Sequence, residues 1–290
     1  MDTTVVVQAV VLGLAQGAVY ALIASGLTLI YAVTRHFNFA HGHFLAIGMY
    51  LSYALFTAYE LDPYLSFFIV APAMFILGLL IFRFLLQPLV RGSPLTTLIM
   101  LYGLSLIIEN VLLIIFGGQD HAVRTFLDLD KLYFGPIVMK TSLLVALLVS
   151  LIVTLGFYWL LRMTDFGRAV RAVAEKPESA ALMGVKVRRV QMLVFALAFV
   201  LLAIAATCYI PMSTIFPTMG LNITLFAFVV ITLGGMGNFL GALVGGLIIG
   251  VAGALSSLFW GVGLSATIPY AIFILVMLFR PQGLFGGKVT

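Results

Sequence analysis

The stretch TSLLVALLVSLIVTLGFYWLL (141–161), RMTDFGRAVRAVAEKPESAALMGVKVRR (162–189), VQMLVFALAFVLLAIAATCYI (190–210) decides the fold. Two apolar runs of 21 residues flank a polar insert. As helices, such runs rise about 31 Å, the thickness of a bilayer's hydrocarbon core. The insert carries Arg162, Arg168, Arg171, Lys176, Lys186, Arg188 and Arg189 and is too polar to cross. The chain therefore crosses, presents a charged loop, and crosses back.

Working outward, further apolar runs occupy 5–33, 44–58, 64–86 and 95–117 on one side, and 222–236, 238–258 and 264–279 on the other. The total is about nine crossings, within a range of eight to ten. A barrel would need strands of about 10 residues with alternating polarity, and no such alternation occurs. Composition agrees: 63% of the 290 residues are hydrophobic, 9% are charged, and mean hydropathy is +1.22. A soluble domain carries about 25% charged residues. The expected fold is an all-α, polytopic transmembrane helical bundle. It forms one transmembrane domain over 1–290, with the loop 162–189 inside it.

The net charge of +5 calls for no nucleic acid, because the basic residues sort by side. With nine crossings, one side holds 12 of the 15: Arg35, Arg83, Arg91, the seven of the loop, Arg280 and Lys288. The other side holds Arg124, Lys131 and Lys140, with Asp2, Glu60, Asp62, Asp120, Asp128 and Asp130. Positive charge gathers in the cytoplasm, so the N-terminus is expected outside and the C-terminus inside. Trp159 and Trp260 fall near the two boundaries, where indoles gather. The single cysteine, Cys208, has no partner for an internal disulfide. The first residues carry no basic segment or cleavage site, so the first run reads as a mature helix.

Within the loop, Lys176-Pro177-Glu178 reads as a helix start, since proline suits the first turn and acids favour the N-terminus. The helix spans Ser179 to Met183 and ends at Gly184 in the C′ position. A short rod held off the membrane suits docking into another protein's groove. A solvated connection whose charges only set topology is the alternative.

Polar residues inside apolar runs are the other candidates. Asn38-Phe39-Ala40-His41-Gly42 precedes the second run. Asn38 reads as its N-cap, or the string is a polar hinge beside a water-lined path. His36, His41 and His43 lack a nearby acid or cysteine, so no metal is assigned. Glu109 lies midway through the run 95–117. It faces a partner subunit or polar cavity, couples a proton, or packs as a neutral acid. Arg83 and Arg91 sit too far inward to pair with it. Gly237, Gly241, Gly245, Gly246, Gly250 and Gly253 recur at close spacing, a surface on which helix backbones approach. Gly234-Gly235-Met236-Gly237-Asn238 allows a break, with Asn238 capping the next helix. No GxxxxGK[ST] occurs, so no phosphate loop is implied, and no catalytic residue is assigned.

Several strings resemble the permeases of the branched-chain amino acid (Liv-type) ABC importer family. Asn38–Gly42 is the most specific. Gly13–Gly26 resembles that family's first helix, Thr232–Gly246 its Gly-Gly-x-Gly segment, and Phe279–Gly286 its Arg-Pro-x-Gly-Leu close. The string Glu178-Ser179-Ala180, then Ala181-Leu182-Met183, then Gly184 resembles the cytoplasmic Glu-Ala-Ala-x3-Gly loop of ABC importer permeases, with Ser replacing the middle Ala.

The resemblance implies a type II-like ABC importer permease fold that forms half of a pore. It implies a multi-pass place in a bacterial or archaeal inner membrane, and a solute that is a branched-chain or other hydrophobic amino acid. It implies a homologous second permease, two ATP-binding subunits and an extracytoplasmic solute-binding protein as partners. ATP and magnesium would sit on the ATPases, with no cofactor on this chain. Glu175, Pro177, Glu178, Ser179, Ala180, Ala181 and Gly184 would form the ATPase-coupling loop. Asn38, Phe39, His41, Gly42, Glu109, Gly235, Gly237 and Asn238 are candidates for pore or hinge. The competing class is a carrier driven by an ion gradient through Glu109; it does not account for the ordered loop.

Overall fold

The computed structural model describes residues 3–89, 93–135, 137–261 and 267–286. Asp2, Arg91, Lys288 and the start of the run at 264 lie outside them. Among the described residues, nine apolar helices form where the runs predict them: α1 (Thr3–Thr34), α2 (His41–Tyr59), α3 (Pro63–Ile81), α4 (Pro94–Phe116), α5 (Thr141–Met163), then α8 (Val187–Tyr209), α9 (Met219–Gly234), α10 (Phe239–Trp260) and α11 (Thr267–Phe279). Between α5 and α8 lie two short helices, α6 (Asp165–Glu175) and α7 (Pro177–Leu182). Six helices, α1, α3, α4, α5, α8 and α10, are long and apolar enough to cross a membrane, while α9 and α11 are shorter. The protein is an all-α polytopic membrane bundle with one small addition. Within 118–140, Lys131–Phe134 and Ile137–Lys140 pair as an antiparallel hairpin.

The core is built on α1 and α8. The first half of α1 lies antiparallel on α10 where both helices carry glycine. A Cβ on Gly250 would stand 2.3 Å from Gly17 Cα, and one on Gly17 would stand 2.7 Å from Gly246 O. Backbones touch there, so van der Waals contact replaces the hydrophobic drive that lipid does not supply. α8 buries Phe195 and Phe199 against Phe82 and Phe44, with ring centroids 5.8 and 4.5 Å apart. By contrast, α4 leaves Ile107, Ile114 and Ile115 more than half exposed, a face suited to lipid or another membrane chain.

Contacts between loops define two ends. At one, the Gln8 side chain bonds the backbone of Val138. Asp62 accepts from Tyr64 N, capping α3, and from Phe126 N. His121 bridges Ile215. At the other end, Arg35 donates to Ala174 O, Gln191 to Val33 O, and the chain near 285 lies on 233–234. Arg124, Lys131 and Lys140 fall at the first end with the loop acids. Arg35, the basic residues of 162–189 and Arg280 fall at the second.

Candidate functional site

Three groups of candidate residues occupy different places. The first is the polar insert. α6 is amphipathic: Gly167, Val170 and Val173 are buried at helical spacing, while Arg168, Arg171 and Glu175 are exposed. Thr164 caps it by accepting from Gly167 N at 3.1 Å. Such a helix lies along a surface, and Arg171 secures it by donating to Leu161 O.

α7 then starts with Pro177 in its first turn and ends in a Schellman motif. Val185 N donates to Ala180 O and Gly184 N to Ala181 O, both at 3.0 Å. Gly184 takes φ +85°, which a side chain resists. The C′ role assigned to Gly184 is thus observed. Ala180 is buried, whereas Pro177, Glu178, Ser179 and Ala181 face out. Leu182 and Met183 are 89% and 85% exposed. Behind α7 is a cavity of about 550 Å³, lined by Arg35, Phe82, Pro177, Glu178, Arg188 and Gln191. The rod touches the rest of the protein through Ala180 in its middle and leaves both ends exposed.

The second group lies inside the bundle. After Thr34 the chain turns at Arg35, which has φ +57°, and runs back along α1. His41 Nε2 donates to Ile23 O at 2.9 Å. Ile23 lies eleven residues, about 16 Å, from the end of α1. α2 therefore begins inside protein rather than at its surface. Gly42 permits this: its N–H donates to Thr224 Oγ1 at 2.8 Å, and a Cβ would stand 2.0 Å from Gly220 O.

Asn38 is not the N-cap that the sequence suggests. The cap position belongs to Ala40. Asn38 instead accepts from Ala40 N through Oδ1, and its backbone carbonyl accepts from His41 N. The side chain stabilises the turn before the helix. Phe39 lies beside it, its carbonyl 3.2 Å from Thr224 Oγ1.

Glu109 has a partner that sequence reasoning missed. His43 Nε2 lies 3.2 Å from Glu109 Oε2, with the histidine side chain 2% and the acid 27% exposed. Seven residues further along each helix, the Tyr50 and Phe116 rings lie 4.5 Å apart, so α2 and α4 run side by side. A histidine on one apolar helix and an acid on another was the available signal; their adjacency is tertiary. Among the described residues no three His, Cys, Asp or Glu come together as a metal site.

The α9–α10 break is tied to the chain's end. Asn238 accepts from Gly241 N at 3.0 Å, the cap expected of it, and donates to Phe285 O at 3.1 Å. Gly235 and Gly237 take φ +105° and +83°. A Cβ on Gly235 would meet Gly286 N at 2.7 Å. These residues form a clamp at the basic end, well away from Asn38 and Glu109 in sequence and contacts. On the other side of the core, a groove of about 630 Å³ runs between α1 and α10, with Gln8, Gln16 and Tyr20 facing Gly250, Gly253 and Ser257.

Comparison with known proteins meets this geometry. Residues 9–279 match the family described as branched-chain amino acid transport system, permease component. The chain is 31% identical to the high-affinity branched-chain amino acid transport system permease protein BraD of Pseudomonas aeruginosa, over 96% of this chain and 95% of that one. It is 30% identical to the corresponding permease protein LivH of Escherichia coli K12, over 94% and 93%. It is 31% identical to a probable LivH of Methanocaldococcus jannaschii, over 91% and 88%. No solved structure matches. The buried Asn38–Gly42 turn, the glycine crossing and the clamped C-terminal Arg-Pro-x-Gly-Leu segment thus sit in a chain that belongs to the permease components of branched-chain amino acid transport systems.

Proposed function

We propose that this protein forms half of the pore of an ATP-binding-cassette importer for branched-chain or similar apolar amino acids, and that α7 is its coupling helix. The exposure of Leu182 and Met183 on a rigidly capped rod carries this reading. Large apolar side chains left bare at a charged end suit burial in a partner's groove. The partners are two ATP-binding subunits, which hold ATP and magnesium, a homologous second permease and an extracytoplasmic binding protein. The chain itself is a transport component with no reaction of its own. The basic end, with α7, faces the cytoplasm of a bacterium or archaeon, so the N-terminus is outside and the C-terminus inside.

Nucleotide-driven closure of the ATPases would push α7 toward the cavity behind it and move α5 and α8. The α1–α10 groove would form one wall of the path. An ion-gradient carrier working through Glu109 is not favoured by the family, and His43 gives that acid a structural role.

The test is reconstitution with the partners in proteoliposomes. Uptake should require ATP. Gly184→Pro and Glu178→Arg should insert normally yet lose ATPase binding and uptake. ATP-independent uptake driven by a proton gradient, or full uptake by both variants, would overturn the reading.

A further inference from the structure

One face of α5 stays open among the described residues. Leu148, Ile152, Leu155 and Trp159 are each at least 47% exposed. Steps of four, three and four residues set them in one stripe along the helix. From Leu148 to Trp159 the stripe rises about 17 Å, close to half the hydrocarbon thickness of a bilayer, about 15 Å. Trp159 closes it, and an exposed indole next to a basic end marks the level of lipid headgroups.

Just beyond, a cavity of about 500 Å³ opens where the end of α5 meets α6 and the α9–α10 turn. Tyr158, Leu161, Arg162, Arg171, Gly237 and Phe239 line it. That is the size of a small-molecule site. Its wall holds two guanidinium groups and, among the described residues, no acid. Neither arginine is in an ion pair there; Asp165, at the start of α6, pairs with Arg168 instead. Arg162 donates from Nη1 to Tyr158 Oη at 2.6 Å. Arg171 uses Nη1 on the Leu161 and Arg162 carbonyls. Those bonds cover the negative end of α5, which would repel an anion. They also hold both forks in place with Nε and Nη2 donors to spare.

We infer that this cavity holds the phosphate of an anionic phospholipid of the cytoplasmic leaflet, with one acyl chain lying on the α5 stripe. The juxtaposition selects a lipid over a soluble phosphate or a protein partner. A basic cavity adjoins an apolar track of one leaflet's depth, and Arg162, three residues past Trp159, joins the two. Guanidinium groups pair with phosphate oxygens through two parallel bonds, and basic pockets between membrane helices on the cytoplasmic side suit anionic headgroups. The inference takes from the importer reading only that the basic end faces inward. It anchors the α5–α6 corner, which leads into α7, in the membrane.

The experiment places the purified complex in nanodiscs of phosphatidylcholine with graded amounts of phosphatidylglycerol carrying a photoactivatable acyl chain. No ATP or solute is added, and cross-linked peptides are mapped by mass spectrometry. Labelling should saturate and fall on α5 between Leu148 and Trp159. Arg162→Gln and Arg171→Gln should each raise the half-saturating fraction of phosphatidylglycerol about fivefold, the worth of one basic residue near the surface. Arg189→Gln removes a charge from the same end but not from the cavity wall, and should leave that fraction unchanged. Arg171 also secures α6, so if its variant fails to assemble, Arg162→Gln carries the comparison. Glycerol 3-phosphate in solution should not displace the label. The lipid site is overturned by unchanged labelling in Arg162→Gln, by an equal loss in Arg189→Gln, by displacement with glycerol 3-phosphate, or by an unlabelled α5 covered by another chain. None of these outcomes touches ATP-driven uptake, which tests the importer reading separately.

Discussion

Gly42 shows how one missing side chain holds the interior together. Its N–H reaches Thr224 Oγ1 only because no Cβ intervenes, and a Cβ would lie 2.8 Å from both Thr224 N and Oγ1. Backbone cannot yield as a side-chain tip can, so Gly42→Ala should destabilise the chain by about 1–3 kcal/mol. A lowered thermal midpoint in detergent is the measurement; an unchanged midpoint would mean that α2 is free to move off α9. The His43–Glu109 pair makes a second case. Glu109→Leu leaves a buried imidazole nitrogen without its acceptor and should cost about 1–3 kcal/mol. Glu109→Gln keeps an acceptor, so it should preserve both the midpoint and the pH profile of ATP-driven uptake. Loss of uptake with normal assembly in Glu109→Gln would return a proton-coupling role to this acid. Neither the pair nor the Ala40 cap was legible in the sequence. Both depend on which helices become neighbours and on where the chain turns back.

Helix ends and helix crossings were read more fully. Pro177 and Gly184 bracket α7 as expected, and Asn238 caps α10, because proline, glycine and Asn act through their own backbone within a few residues. The glycines after 237 predict close packing, and it occurs. Gly246 and Gly250 meet α1, at Ala21, Gly17 and Gly13, while Gly241 and Gly245 meet Val230 and Gly234 of α9, partners which spacing on one helix cannot name. Gly250→Leu should separate α1 from α10 and give an aggregated or lost peak in size-exclusion chromatography. A monodisperse peak at wild-type yield would show that the crossing tolerates several ångströms of opening. α6 and the 131–140 hairpin were not anticipated as separate elements. α6 is amphipathic within a segment read only for its polarity, and four-residue strands carry too little pattern to stand out from a loop.

The two-ended distribution of charge holds for the assembled molecule. Arg35, the residues of 162–189 and Arg280 meet at one end, and Asp62, Asp128, Lys131 and Lys140 at the other. Cysteine labelling in intact cells tests the orientation. Leu182→Cys should react only after permeabilisation, and Leu129→Cys, 85% exposed at the opposite end, should react from outside. Native Cys208 is buried and should stay silent. The reverse pattern would invert the proposed topology and remove α7 from reach of any cytosolic ATPase.

The sequence by itself determined that this is a helical membrane bundle, where its long helices lie, which end collects positive charge and how the short rod starts and stops. These follow from hydropathy over about 20 residues and from local backbone preference, both of which act along the chain. Only the tertiary structure decided that α2 begins about 16 Å back along α1, that His43 meets Glu109, that Gly13 and Gly17 of α1 face Gly250 of α10, and that Asn38 borders an apolar cavity. In a chain so uniformly apolar, nearly every helix face would pack acceptably against several others. The choice among them rests on backbone closeness and a few buried polar contacts, which no single segment records.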